Sequence, residues 1–284
     1  MSWDVAGDLP AIDARELIHE VREALLQLLG ELDDGAWIAS TVNPGWDVHD
    51  VALHLLGDDV GWLSARRDEY RSAGVSTEDF GGLATMIEAA NERWVQATRS
   101  ISPRLTLELL RFVGGRFDDH VRLVDLDSEG SPVRWSGRGP SPAWLDIARE
   151  YTERWMHQQQ IREAVGLPRL AEPRWLHPVL DIFMRALPRA FDHASAPEGV
   201  GVTVTVEGPA GGSWSVRRGP DRWHLVAGAA EHPAASVRMP EDIAWRLLCR
   251  NISVETAVRQ IKTTGDGSLA MAAYRAVAVM TTQP

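Results

Sequence analysis

At 284 residues the chain is long for one compact core, which predicts two domains. Its 44% hydrophobic and 24% charged content is that of a globular protein and argues against disorder. A formal charge of −11 argues against a general affinity for nucleic acid or anionic membranes, although a few local arginines could still receive a small anion.

The amino-terminal stretch MSWDVAGDLPAID has no basic segment followed by an apolar one, and no later segment is apolar for the roughly 18 residues that a membrane span needs. The expectation is a cytoplasmic protein. Cys249, the single cysteine, excludes an internal disulfide framework and a cysteine-cluster metal site. Any sulfur chemistry would then draw on a small-molecule thiol. Lys262 is the one lysine among 29 basic residues, a bias of genome composition rather than a count of anion sites.

From residue 10 to about 30, Ile12, Leu17, Ile18, Val21, Leu25, Leu26 and Leu29 recur at helical spacing. NPGWDVHD then supplies a turn and a helix start, with Asp47 as N-cap and Asp50 in the first turn. The second helix is predicted to run to about residue 72, with His54 two turns inside it. A third helix is predicted over 77–100, and a fourth opens at Pro103. SEGSPVRWSGRGPSP, between 127 and 142, reads as a long loop leading into a fifth helix over 142–165, which ends at Gly166 and Pro168. That helix is apolar on more than one face and is expected to be buried in a bundle, and Trp62, Trp94 and Trp155 are expected in the core or a pocket wall.

A further helix is predicted over 175–194. The pattern then changes at APEGVG to VTVTVE, SWSVRR and RWHLVA, read as a small antiparallel sheet, with helical segments over 240–250, 253–262 and 268–280. The predicted fold class is α+β in two domains: a helical bundle over 1–195 and a sheet with helices over 196–284.

Three residues stand out as a candidate site. Glu153 and His157, four apart on the fifth helix, project from one face, and His54 on the second helix could complete a set of two imidazoles and a carboxylate between bundle helices. Spacing alone is weak, because chance places about one acid four residues before a histidine in a chain of this composition, and Asp50/His54 is a second such pair. The competing explanation is a Glu–His hydrogen bond on a helix surface. His49 is expected to lie on another face, at the surface.

PGWDVHDVALHLLGDDVGWL over 44–63 and YTERWMHQQQIREAVG over 151–166 together resemble the DinB-like superfamily and, more narrowly, the mycothiol-dependent maleylpyruvate isomerase family. The resemblance implies a DinB-like four-helix bundle whose divalent metal, zinc by expectation, is held by His54, Glu153 and His157. EDIAWRLLCRNIS and TTGDGSLAMAAYRAVAVM resemble the sterol-carrier-protein-like domain that follows the bundle in many members. Arg246 and Arg250, in the helix resembling the family's WRL segment, are the arginines implied to bind substrate carboxylates. Arg134 and Arg138 are weaker candidates. Gln160 departs from the acid that members often carry three places after the second metal histidine.

The resemblance implies an enzyme that uses mycothiol as cofactor or cosubstrate and activates its thiolate for attack on a small electrophile bearing carboxylates. Cis–trans isomerisation of a maleylpyruvate-like substrate is the first expectation. S-transfer, or a non-catalytic small-ligand-binding protein, are the alternatives. There is no G-x-x-x-x-G-K-[ST], G-x-S-x-G or H-E-x-x-H motif, so nucleotide hydrolysis, α/β-hydrolase and zincin chemistry have no support.

Overall fold

The computed structural model describes residues 9–70, 80–137 and 139–279. By compactness the chain divides into one unit of residues 13–126 and 147–170 and a second of residues 1–12, 127–146 and 171–284. Composition placed the break at 195. Compactness instead groups the segment from 171 onward with the sheet.

The first unit is helical. It comprises α1 (Arg15–Glu31), the short α2 (Asp34–Trp37), α3 (Val48–Trp62), α4 (Phe80–Thr98), α5 (Pro103–Val121) and most of α6 (Ala143–Ala164). Asp47 caps α3 as expected, and the cap is reciprocal: its side chain accepts from the Asp50 amide while the Asp50 carboxylate accepts from the Asp47 amide. Ser102 caps α5 ahead of Pro103. The second predicted helix is interrupted at Trp62, after which Leu63–Arg67 form a π-helical turn. The parts of the helix predictions that fall on 71–79 lie outside the described residues.

α3 packs on α4 and α5, and α1 packs on α5. Leu25, Leu29, Val48, Val51, Leu55, Leu110 and Ile161 belong to one core cluster. Trp94 donates from Nε1 to the Leu53 carbonyl at 2.8 Å, and its ring lies so close to Gly57 that a Cβ there would meet Nε1 at 2.6 Å. Glycine at 57 therefore sets the approach of α4 to the part of α3 that carries His54.

The second unit holds α7 (Pro173–Met184), α8 (Leu187–Ala190), β3 (Gly201–Glu207), β4 (Gly212–Arg218), β5 (Trp223–Ala227), β6 (Ala235–Pro240), α9 (Glu241–Leu248), α10 (Val254–Ala257), β7 (Lys262–Gly265) and α11 (Gly267–Tyr274). The loop over 127–142 is pinned by a two-residue ladder, β1 (Glu129–Gly130) with β2 (Ser141–Pro142). The single helix predicted over 175–194 is split, and Pro188 sits in the first turn of α8.

The five-stranded sheet runs in the order β5-β4-β3-β6-β7. It corrects the antiparallel expectation in one place: β3 pairs with β6 in parallel, Val204 opposite Val237. Val202, Val204, Val206, Trp214, Val216, Leu225 and Val237 are buried. The predicted helix over 253–262 ends early, with the four-residue α10 and a 3₁₀ turn, and Lys262 opens an edge strand.

Candidate functional site

His54 lies two turns into α3, and Glu153 and His157 lie one turn apart in the middle of α6. The structure brings the three together. His54 Nε2 and His157 Nε2 face each other at 3.1 Å with ring centroids 4.6 Å apart, and Glu153 Oε2 is 3.6 Å from His157 Nε2. Both imidazoles are buried, whereas 18% of the Glu153 side chain meets solvent, so the cluster opens on its carboxylate side.

Two adjacent Nε2 atoms cannot both carry a proton pointed at the other. The hydrogen bonds decide which nitrogen of His157 does. Gln160 Oε1 lies 2.7 Å from His157 Nδ1 and accepts from Asn43 Nδ2 at 2.8 Å. An amide oxygen only accepts, so His157 Nδ1 carries a proton and donates to Gln160 Oε1. Burial, with the neighbouring His157, pushes the His54 imidazole down to about 3, so His54 is neutral near pH 7. Burial opposes ionisation of Glu153, but the hydrogen bond and charge of His157 outweigh it and hold the carboxyl below its ordinary value.

Asp58, one turn after His54, is a member of the cluster that spacing arguments missed, because attention fell on acids preceding a histidine. Its Oδ2 is 3.4 Å from His54 Nε2. Burial first, and then the Glu150 and Glu153 carboxylates, raise Asp58 well above the usual carboxylate range, though 27% of its side chain still meets solvent. Asp50, the acid that the sequence paired with His54, is engaged elsewhere: it accepts two hydrogen bonds from Arg99, at 2.9 and 2.8 Å, besides its role in the α3 cap.

The floor of the site is a buried ion network. Asp59 accepts from Arg22 NH1 and NH2 at 2.6 and 3.1 Å and from Arg154, which also donates to Glu150 Oε2 at 2.7 Å. Arg22 Nε reaches Asp118 at 3.0 Å, and the Arg154 guanidinium lies 4.1 Å from the Phe117 ring centre. Burial opposes the charge of Asp59, but Arg154 and Arg22 keep it below its ordinary value. Four helices, α1, α3, α5 and α6, are thus tied together directly beneath the residues His54 and Glu153.

Trp46 forms a wall, its ring 5.3 Å from that of His54 and its Nε1 donating to Glu92 at 2.8 Å. His49 is half-buried: Nε2 meets the Thr106 hydroxyl at 3.1 Å and the ring stands edge-on to Trp37. Cys249 is buried, as expected of a small apolar group.

The predicted arginines lie in the second unit and differ from each other. Arg246 is engaged by Asp242 at 3.1 Å and lies over the Trp245 ring. Arg250 has a left-handed backbone, φ +61, and among the described residues its buried Nε and NH1 have no hydrogen-bond partner. Arg138 lies outside the described residues.

Two imidazoles and a carboxylate are a donor set of the kind that divalent cations take, and the His157 imidazole is fixed by an outer hydrogen bond to Gln160. As placed, no group of three or more His, Cys, Asp or Glu side chains among the described residues already encloses a cation position.

The sequence profile of the mycothiol maleylpyruvate isomerase amino-terminal domain matches residues 18–162, a span that contains all three predicted ligands. Two uncharacterised proteins of Mycobacterium tuberculosis, from strains CDC 1551 / Oshkosh and ATCC 25618, are each 30% identical over 207 residues, 72% of this chain and 76% of theirs. A crystal structure of the mycothiol-dependent maleylpyruvate isomerase superposes with a TM-score of 0.55 at 15% identity, covering 90% of this chain and 94% of that one. That of a histidine-to-alanine variant gives 0.54 with the same coverage. At this identity the likeness establishes the fold.

Proposed function

Because the chain belongs to the mycothiol maleylpyruvate isomerase family, we propose that it is a metal-dependent enzyme in which mycothiol attacks a small electrophile, with cis–trans isomerisation of a maleylpyruvate-like substrate as the reaction. The observation that carries this reading is the facing of His54 and His157 through Nε2, 3.1 Å apart, with Glu153 beside them.

His54 and His157 would hold a divalent cation, zinc in this reading, through neutral nitrogens, and Glu153 would supply the one negative charge. When bound, the cation favours the thiolate near neutral pH, and the sulfur adds to the cis double bond, permits rotation and leaves again. Gln160 keeps the proton on His157 Nδ1, and Asn43 orients Gln160. Trp46 shields His54 from water on one side. Cys249 is buried and adds no exposed thiol of the chain's own, which supports a small-molecule source of sulfur.

Arg250 is the better of the two predicted carboxylate-binding residues. Its buried N–H groups are unspent, whereas Arg246 already serves Asp242. A cytoplasmic setting fits this chemistry, and no helix among the described residues is long and apolar enough to cross a membrane. With a charge of −11, nucleic acid and anionic membranes are not partners in this reading.

S-transfer is the second reading, favoured by Gln160 standing where family members often carry an acid, and it starts from the same attack. Mass spectrometry after incubating the zinc-loaded protein with mycothiol and maleylpyruvate tests both. An unchanged substrate mass with trans geometry supports isomerisation, a retained thiol adduct supports transfer, and no thiol-dependent product overturns the enzyme reading.

A further inference from the structure

α1 and α5 border a groove of about 390 Å³, within the roughly 300–1,000 Å³ of small-ligand sites. His19, Arg22, Arg111, Phe112, Gly115 and Arg116 line it, all of them in the helical unit and none in the His54 cluster. The two adjacent glycines of α5 differ in what they do. Gly114 admits the Arg22 guanidinium, whereas a Cβ at Gly115 would meet nothing within 4 Å. Glycine inside this 19-residue helix costs helix propensity, and no packing contact of the chain requires it at 115. Its effect is to keep the groove wall open beside Phe112, which is 64% exposed.

The charges of the groove sort into spent and unspent. Arg22 is committed to Asp59 and Asp118, and Asp119 lies 3.8 Å from Arg122. Among the described residues Arg111 and Arg116 make no ion pair, and Arg116 lies over the Phe112 ring at 5.6 Å. Glu23 is the lining acid that no cation holds among those residues. Two unspent guanidiniums against one carboxylate leave the groove one unit positive, in a chain whose formal charge is −11. His19 Nδ1 donates to Asp118 Oδ2 at 3.1 Å, because a carboxylate only accepts, and its Nε2 is left for a ligand. We propose that this groove binds a small organic monoanion, a carboxylate carried on a flat apolar body. Arg111 and Arg116 offer the planar forks that a carboxylate favours, and the Phe112 ring with the open wall at Gly115 receives the flat body. Glu23 disfavours a second negative charge. The inference stands without the metal reading.

The test is isothermal titration of the full chain with benzoate, with benzyl alcohol and inorganic phosphate as comparisons. Benzoate should bind once per chain. Benzyl alcohol, which lacks the charge, and phosphate, which lacks the ring, should each bind at least about tenfold more weakly. Arg111→Ala and Arg116→Ala, both at exposed positions, should each weaken benzoate binding by about tenfold or more, the equivalent of one hydrogen bond to a charged group. Gly115→Leu, which fills the groove, should abolish binding, and Glu23→Gln should tighten it. The arginine variants carry the test if Gly115→Leu fails to fold by circular dichroism. Absence of benzoate binding by the wild-type chain would overturn the proposal. So would binding that survives both arginine variants and is lost in Arg250→Ala, which would place the anion at Arg250, or phosphate binding as tightly as benzoate, which would reduce the groove to a diffuse basic patch.

Discussion

His157 and Gln160 are joined by a 2.7 Å hydrogen bond from the imidazole Nδ1 to the amide Oε1, and the same oxygen accepts from Asn43. A neutral amide therefore fixes the ring where family members often place an acid. Gln160→Ala would leave the buried Nδ1–H and the Asn43 amide without this partner, at a cost of about 1–3 kcal/mol of stability. Zinc affinity should fall by about 10–100-fold. Gln160→Glu should retain affinity, since a carboxylate accepts the same bonds. Equal zinc affinity in wild type and Gln160→Ala, read by chelator competition, would contradict the orienting role.

The network beneath the site makes a stability prediction independent of any metal. Arg154 is buried, donates to both Asp59 and Glu150, and stacks on Phe117. Arg154→Ala leaves Asp59 to Arg22 and Glu150 to Arg149, removing one of the two cations at each carboxylate, and urea unfolding should show a loss of about 1.5–3 kcal/mol, the range of hydrogen bonds to charged groups. A loss under about 1 kcal/mol would mean that solvent or a rearranged Arg22 replaces the guanidinium.

Two neighbouring glycines of α5 should respond oppositely to alanine. A Cβ at Gly114 would stand 2.0 Å from Arg22 NH1, so Gly114→Ala must displace the guanidinium that grips Asp59. At Gly115 a Cβ meets nothing within 4 Å. Gly115→Ala should stabilise the helix by about 0.8–1 kcal/mol through propensity alone. Gly114→Ala should destabilise by about 1–3 kcal/mol or more, as overpacked cores do. Similar unfolding midpoints for the two variants would refute the close fit.

Much of this arrangement was legible in the chain. Helical periodicity, the Asp47 cap and Pro103 located α1, α3 and α5, and the i,i+4 spacing placed Glu153 and His157 on one face. What escaped shares one physical origin: pairings fixed by tertiary contact leave no period. β6 was hidden in a short segment ending at Pro240, and β7, KTTG, is an exposed edge strand with no apolar alternation. Asp58 and Asp59 are adjacent and chemically identical in sequence, and only the placement of Arg22 and Arg154 assigns one to the ion network and leaves the other beside His54. Gln160 read as a missing acid. Its place between Asn43 and His157 depends on a loop 117 residues away.

Arg250 carries a strain that separates structural from functional roles. A non-glycine residue at φ +61 after a helix costs roughly 1 kcal/mol relative to glycine. Arg250→Gly should therefore raise stability by about that amount. If its guanidinium binds the substrate carboxylate, the same variant should raise KM markedly, and Arg246→Lys should do so far less. Unchanged KM in Arg250→Gly would remove Arg250 from substrate binding.

Zinc itself should act as a folding ligand of the helical unit. His54 and His157 meet through their Nε2 atoms, and an ion that binds only the folded chain stabilises it by mass action. At a free zinc concentration 100 times Kd the gain is about 2.7 kcal/mol, a rise in Tm of several degrees. The rise should saturate at one zinc per chain, reverse with a chelator, and vanish in His54→Ala and in His157→Ala. If the metal were bound elsewhere in the molecule, the rise would survive both substitutions, and the pairing of these two imidazoles would be a core contact without a cation to serve.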